Sequence, residues 1–170
     1  MEVNDFILAT LERMQQAVTT AVDGLTHEEL AWRPGAEANP IGFILWHLLR
    51  VEDALVQATI QKKPQVWVSE KWYQKLNLPE ADSGGRYTAE QVAAFPVPEL
   101  KDLLGYAEAV RARTVEYLKA MTPDKFDEII QTPFLGEVAI GKTFAFLLCE
   151  INQHIGQIAY LRGLQRGLNK

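Results

Sequence analysis

Three side chains stand out for the chemistry their types and spacing allow. The chain has only three histidines, His27, His47 and His154. His27 lies beside Glu28 and Glu29 in a turn-like stretch and reads as a solvated cap residue. His47 and His154 are different, because each is embedded in an otherwise apolar run with helical periodicity. A buried imidazole without a polar partner costs about 1–3 kcal/mol, so each of these two needs one. Glu150 stands four residues before His154. On a helix that spacing puts carboxylate and imidazole on one side, about 40° apart at 100° per residue. His47, from a facing helix, would complete a set of two imidazoles and one carboxylate, and helical bundles build metal sites in this way. Such a trio on Zn²⁺ leaves positions open for water or substrate, and the same donors suit non-haem Fe(II). A second reading stays open, in which Glu150 and His154 form an intrahelical ion pair worth a few tenths of a kcal/mol, about 0.2–0.5. Glu52 and Asp53 fall well around the helix from His47 and are expected on its solvated face. Cys149, one step from Glu150, is expected to be a small packed core residue.

The elements that must position these groups follow from apolar spacing. Phe6, Ile7, Leu11, Met14, Val18 and Val22 recur at three- and four-residue steps, predicting a helix from about Asn4 to Asp23 that Gly24 stops. Thr26 and Glu29 have the spacing of a capping box for a short helix. Asn39-Pro40 reads as a helix start, with Asn as cap and Pro in the first turn. The helix it opens, Ile41 to about Gln61, carries His47. Residues Lys62 to Pro98 are long and irregular, with four prolines, Gly84-Gly85 and several aromatic residues. Thr88 and Gln91 form a second capping-box pattern there. A connection of this length is usually a functional cover or a crossover. Trp46, Trp67, Trp72 and Tyr87 are candidates for a pocket wall, and equally for ordinary packing. A third helix is predicted from Pro98 to about Met121, then a short turn over Asp124–Ile130 and an extended piece from Thr132 to Gly141. The last helix runs from about Lys142 to Arg166 and carries both Glu150 and His154. Gln157, one turn beyond His154, is placed either to orient a ligand or to bond the backbone; Asn152 is expected to face solvent. Four long amphipathic helices with a long crossover between the second and third predict an all-α, up-and-down four-helix bundle in a single domain, residues 1–170.

Composition excludes several alternatives. The 170 residues are 48% apolar and 23% charged, which suits one globular core. With 17 basic and 22 acidic residues the net charge is −5. No nucleic-acid partner is expected, because no basic patch offsets that balance. The nearest cluster, Arg162, Arg166 and Lys170, also suits the negative end of a closing helix. One cysteine excludes an internal disulfide framework and multi-cysteine zinc sites. The acidic start, Met1 to Asp5, lacks the pattern of a secretory signal, and no apolar stretch approaches the ~20 residues of a membrane span. The expectation is a cytoplasmic protein with no membrane partner.

Three stretches carry a family resemblance. Leu25-Thr26-His27-Glu28-Glu29-Leu30-Ala31-Trp32-Arg33-Pro34, Asn39-Pro40-Ile41-Gly42-Phe43-Ile44-Leu45-Trp46-His47-Leu48 and His154-Ile155-Gly156-Gln157-Ile158-Ala159-Tyr160-Leu161-Arg162-Gly163 resemble, in order, segments of the DinB-like superfamily. The resemblance implies a DinB-like four-helix bundle, often dimeric, that binds a divalent metal, commonly zinc or nickel, through three histidines. His47 matches the first ligand and His154 the last. Glu150 stands where the family's middle histidine is expected, so the implied metal set is His47, Glu150 and His154. Characterised relatives include metal-dependent thiol transferases and thiol-dependent isomerases. The resemblance thus implies a metal-dependent transferase or hydrolase, a small-molecule thiol or electrophile as partner, and a homodimer. The alternative is a non-catalytic, dimeric small-molecule-binding protein with a vestigial metal site.

Overall fold

The computed structural model describes residues 2–167. Helix α1 spans Val3–Val22 and buries Ile7, Leu11, Ala21 and Val22, while Phe6 faces outward. Gly24 ends it at φ +67°, a left-handed conformation that glycine adopts without a Cβ penalty. Helix α2, His27–Ala31, opens with the expected capping box: the Glu29 N–H donates to the Thr26 hydroxyl and the Thr26 N–H to the Glu29 carboxylate. That carboxylate also receives the Arg166 guanidinium at 2.6 Å. Arg166 donates as well to the Gly24 carbonyl, and Arg162 to the carbonyls of Ala21 and Asp23. The two cations therefore satisfy open carbonyls at the negative end of α1. Lys170, third in the basic cluster, lies outside the described residues.

Helix α3 spans Ile41–Asp53 and continues as a π-helical stretch over Ala54–Ile60. Asn39 does not cap it. Pro40, held extended at φ −77°, ψ 158°, takes the cap position and leaves Asn39 one residue outside, with no side-chain cap bond. Between Ile60 and the next long helix lie three short helices: α4, Val66–Ser69; α5, Trp72–Lys75; and α6, Ala89–Ala93, which opens with the Thr88/Gln91 capping box. Helix α7 covers Leu100–Ala120 and α8 covers Ile140–Arg166. Helix α8 packs against α1 and α3, and α7 against α3 and α1. Leu11, Leu45, Leu103, Leu147 and Ile151 meet in one contiguous core and are essentially inaccessible. Each such side chain contributes roughly 1.5–3 kcal/mol by leaving water. No helix among the described residues is long and apolar enough to cross a membrane.

Glu52 and Asp53 are buried, not solvated. A buried carboxylate is tolerated when it is fully partnered, and both are. Glu52 takes a two-pronged ion pair from Arg111 at 2.9 and 2.8 Å. Asp53 accepts the N–H groups of Val66 and Trp67, both at 2.8 Å, and so caps α4 from a distance. It also accepts the Tyr106 hydroxyl at 2.7 Å. Burial pushes the Asp53 carboxyl above its ordinary range, against the pull of these donors and Arg50. Apart from Arg50, three residues before Asp53, the partners lie 13 to 59 residues away, beyond what helix periodicity can show.

The segment after α7 also differs from the expected turn and extended piece. A 3₁₀ turn over Pro123–Asp127 leads into a hairpin in which β1, Ile129–Thr132, pairs antiparallel with β2, Gly136–Ala139. The Thr132 hydroxyl accepts the Leu135 N–H and donates to the Gly136 carbonyl, closing the turn. Phe134 stands exposed at its tip. Helix α8 begins directly after β2, two residues before the predicted start.

Candidate functional site

Helices α3 and α8 each present a ladder of side chains four residues apart to one cavity of about 470 Å³. From α3 come Phe43, His47 and Val51; from α8, Phe146, Glu150 and His154. The i, i+4 rule that places Glu150 beside His154 extends to both full ladders. The structure thus brings His47, Glu150 and His154 to one cavity. The two imidazole rings meet edge to face with centroids 5.3 Å apart. His154 Nε2 lies 3.6 Å from Glu150 Oε2, an ion-pair separation too long for a hydrogen bond. As placed, no three His, Cys, Asp or Glu side chains among the described residues form a group ready to hold a metal ion.

The hydrogen bonds around the imidazoles fix which nitrogen is free. His47 Nδ1 lies 3.2 Å from the Ser83 carbonyl oxygen. A carbonyl only accepts, so Nδ1 carries the proton and the Nε2 lone pair is left over. His154 Nδ1 lies 2.9 Å from Gln157 Oε1, one turn on, with the same consequence. His154 Nε2 is buried and has no hydrogen-bond partner. An orphaned buried acceptor facing a carboxylate and a second imidazole fits a divalent cation, and second partners on Nδ1 are what metal-binding histidines commonly have. Burial holds His47 below the ordinary imidazole range, helped by His154 and opposed by the Ser83 carbonyl and Glu150. His47 is therefore neutral at pH 7, the form that donates a lone pair.

The third wall is the loop between α5 and α6. Its Gly84 is buried at φ +72° and lies directly on the site: a Cβ there would come within 2.6 Å of the Trp46 ring and 3.1 Å of His47 Nδ1. Close backbone approach is what delivers the Ser83 carbonyl to His47. The Asp82 carboxylate braces the loop by accepting the Gly84 N–H at 3.1 Å and the Tyr87 hydroxyl. Arg50 Nε holds the Asp82 carbonyl at 3.2 Å. Burial and the adjacent Asp82 push the Tyr87 phenol upward, so it stays protonated.

Gln157 bonds His154, and Tyr87 lines the cavity, as the sequence suggests. Trp46 and Trp67 instead belong to the core, and Trp72 packs beside it without reaching this cavity. Asn152 is exposed. Cys149 is exposed rather than packed, because one helical step from Glu150 rotates it off the buried face. Sequence reasoning missed Phe43, Val51 and Phe146 as walls, although their spacing to His47 and Glu150 was a usable signal. It had none for Ser83, whose contact comes from its backbone, or for Phe134, carried in by the hairpin.

A mainly helical fold that sets two imidazoles and a carboxylate at an apolar cavity defines a helical protein with a metal-type donor set. The DinB superfamily profile matches residues 10–158, and the chain belongs to that superfamily. The crystal structure of a conserved protein from Enterococcus faecalis superposes with a TM-score of 0.86 at 23% identity, covering 96% of this chain and 97% of that one; the likeness is one of fold. No curated protein matches the chain.

Proposed function

We propose that the protein is a metal-dependent enzyme of the DinB superfamily, acting by thiol transfer or hydrolysis on a small molecule. The observation that carries this reading is the buried, unpartnered His154 Nε2, facing Glu150 and a second imidazole with its own Nδ1 occupied. In this reading His47, Glu150 and His154 hold a divalent cation, zinc or nickel first and iron third. The cation would supply Lewis acidity, lowering the pKa of a bound thiol or water. The rest is done by the chain. The Ser83 carbonyl and Gln157 hold each imidazole in the tautomer that offers Nε2. Burial keeps His47 unprotonated. Glu150, the one acidic side chain lining the cavity, takes the place of a neutral imidazole and lowers the charge of the site by one unit, leaving the cation less acidifying than three histidines would. Phe43, Tyr87 and Phe146 hold the apolar part of the substrate and limit water.

The whole chain, 1–170, is read as one such domain, an up-and-down four-helix bundle whose crossover supplies the loop wall, assembled as a homodimer. The ion-pair separation of 3.6 Å between His154 Nε2 and Glu150 Oε2 favours a second reading: a non-catalytic, dimeric small-molecule-binding protein with a vestigial metal site, in which Glu150 and His154 are only an ion pair. Metal analysis of protein purified without chelator separates the two. Near one equivalent per chain supports the enzyme reading; background metal, with no uptake on titration, supports the binding module.

A further inference from the structure

We infer that the cavity takes a small apolar organic acid whose anionic group pairs with Arg86 at the mouth. The inference rests on reading this cavity as the substrate site and adds the class of molecule it selects. Arg86 is the one Lys or Arg among the lining residues. No carboxylate, carbonyl or ring among the described residues engages its guanidinium; Arg33, Arg50, Arg111, Arg113 and Arg166 are engaged, while Arg13, exposed on α1 and away from the cavity, also lacks such a partner.

Its position is built. The Arg86 backbone is left-handed at φ +58°, a conformation that costs a non-glycine residue energy and persists only where the surroundings impose it. The surroundings here are two anchors on one carboxylate. The Gly84 N–H and the Tyr87 hydroxyl both donate to Asp82, so the chain is tied on either side of Arg86. Gly84 is also seated on Trp46. An exposed arginine on a free loop would be an ordinary solvated charge; this one lines the cavity from a backbone tied on both sides.

The charges in the cavity are segregated. Glu150 lines the cavity from α8 beside His154, and Arg86 lines it from the loop between α5 and α6. The same cavity is lined by the apolar and aromatic side chains of Phe43, Val51, Tyr87, Phe134 and Phe146. An anion is repelled from the Glu150 side and drawn to the guanidinium, while an apolar body covers the aromatic surface. Guanidinium recognises carboxylate and related oxyanions with two parallel N–H bonds.

The test uses 4-phenylbutanoate and its neutral isostere 4-phenylbutanamide, titrated into the full chain by calorimetry, once with chelator and once with zinc. The ring resonances of His47 and His154 report whether the probe enters this cavity. The expected result is an acid that binds about tenfold tighter than the amide in chelated wild type, with both imidazoles shifted. Arg86→Gln should bring the two ligands within twofold, and Arg86→Lys should keep most of the preference. Equal binding of acid and amide by wild type overturns the inference, as does a preference that survives Arg86→Gln. A preference seen only with zinc also overturns it, because the anion then goes to the metal. A preference seen with chelator in a protein that takes up no zinc supports the Arg86 assignment and defeats the metal reading instead.

Discussion

Adding one methyl group at Gly84 tests how the site is assembled. Alanine there meets two separate penalties. The backbone must stay at φ +72°, which costs an L-residue with a Cβ about 1–2 kcal/mol. The new Cβ would also sit 2.6 Å from the ring of Trp46, a fully buried side chain with no room to retreat. Overpacking of that kind costs typically 1–3 kcal/mol. The sum, about 2–5 kcal/mol, is a large share of a domain stability of roughly 5–15 kcal/mol. The loop relieves the overlap most readily by lifting, which draws the Ser83 carbonyl off His47 Nδ1 and releases that ring. Loss of such an orienting bond lowers metal affinity about 10- to 100-fold. Gly85→Ala is the control: its Cβ would meet nothing closer than Ser83 Oγ at 3.7 Å, and its φ is not in the left-handed region. It should change stability by less than about 0.5 kcal/mol. Urea unfolding followed by tryptophan fluorescence measures the first effect, and zinc titration of chelator-stripped protein the second. A Gly84→Ala protein as stable as Gly85→Ala, with unchanged zinc affinity, would show that the loop does not rest on Trp46 and His47.

Other perturbations probe the same reasoning. Glu150→Ala should weaken zinc binding and Glu150→His should strengthen it in calorimetric titrations; tight binding by wild type that Glu150→Ala leaves unchanged removes Glu150 from the metal set. Arg111→Met leaves the Glu52 carboxylate buried and unpaired, so it should destabilise the fold by about 3–5 kcal/mol in urea unfolding, whereas Glu52→Leu combined with Arg111→Met should recover much of that loss. The Arg166 guanidinium and the Thr26 N–H hold the Glu29 carboxyl at about 2, below the unfolded value of about 4.3. A depressed folded pKa means the stabilisation is fully present above pH ~4.3 and is lost as pH falls through about 2. Wild type should therefore lose more stability than Glu29→Gln between those values, and parallel pH profiles would refute the pairing.

What was legible in the sequence follows from the range of the interactions involved. Long helices announce themselves because their apolar period is local, so α1, α7, α8 and α3 together with its π-helical continuation to Ile60 fall within a few residues of their expected limits. The two capping boxes were readable for the same reason, each being complete within four residues. The hairpin was not read, although Ile129-Ile130-Gln131-Thr132 is rich in β-branched residues. Four residues is too short a run for alternation to separate from loop. Glu52 and Asp53 were placed on the wrong side of the protein surface. Charge argues for solvent only when no partner is available, and Arg111 and the α4 amides come from distant segments.

The candidate site divides along the same line. Its donors are local: His47, Glu150 and His154 can be named from residue type and i, i+4 spacing, with the family motifs adding His47 to the other two. What makes those donors usable is not local. The tautomer of His47 is set by a carbonyl 36 residues away, delivered by a loop that must pack a glycine on Trp46 and hang from Asp82. No pattern within α3 carries that information, because the interacting atom belongs to backbone common to every residue. The one advance trace is Gly84 itself, where the close approach excludes a side chain. For His154 the orienting group is one turn away on the same helix, and Gln157 could be named. The contrast explains why a change in the loop between α5 and α6, far from either histidine in sequence, is expected to alter His47 while leaving the hydrogen bond between His154 and Gln157 in place.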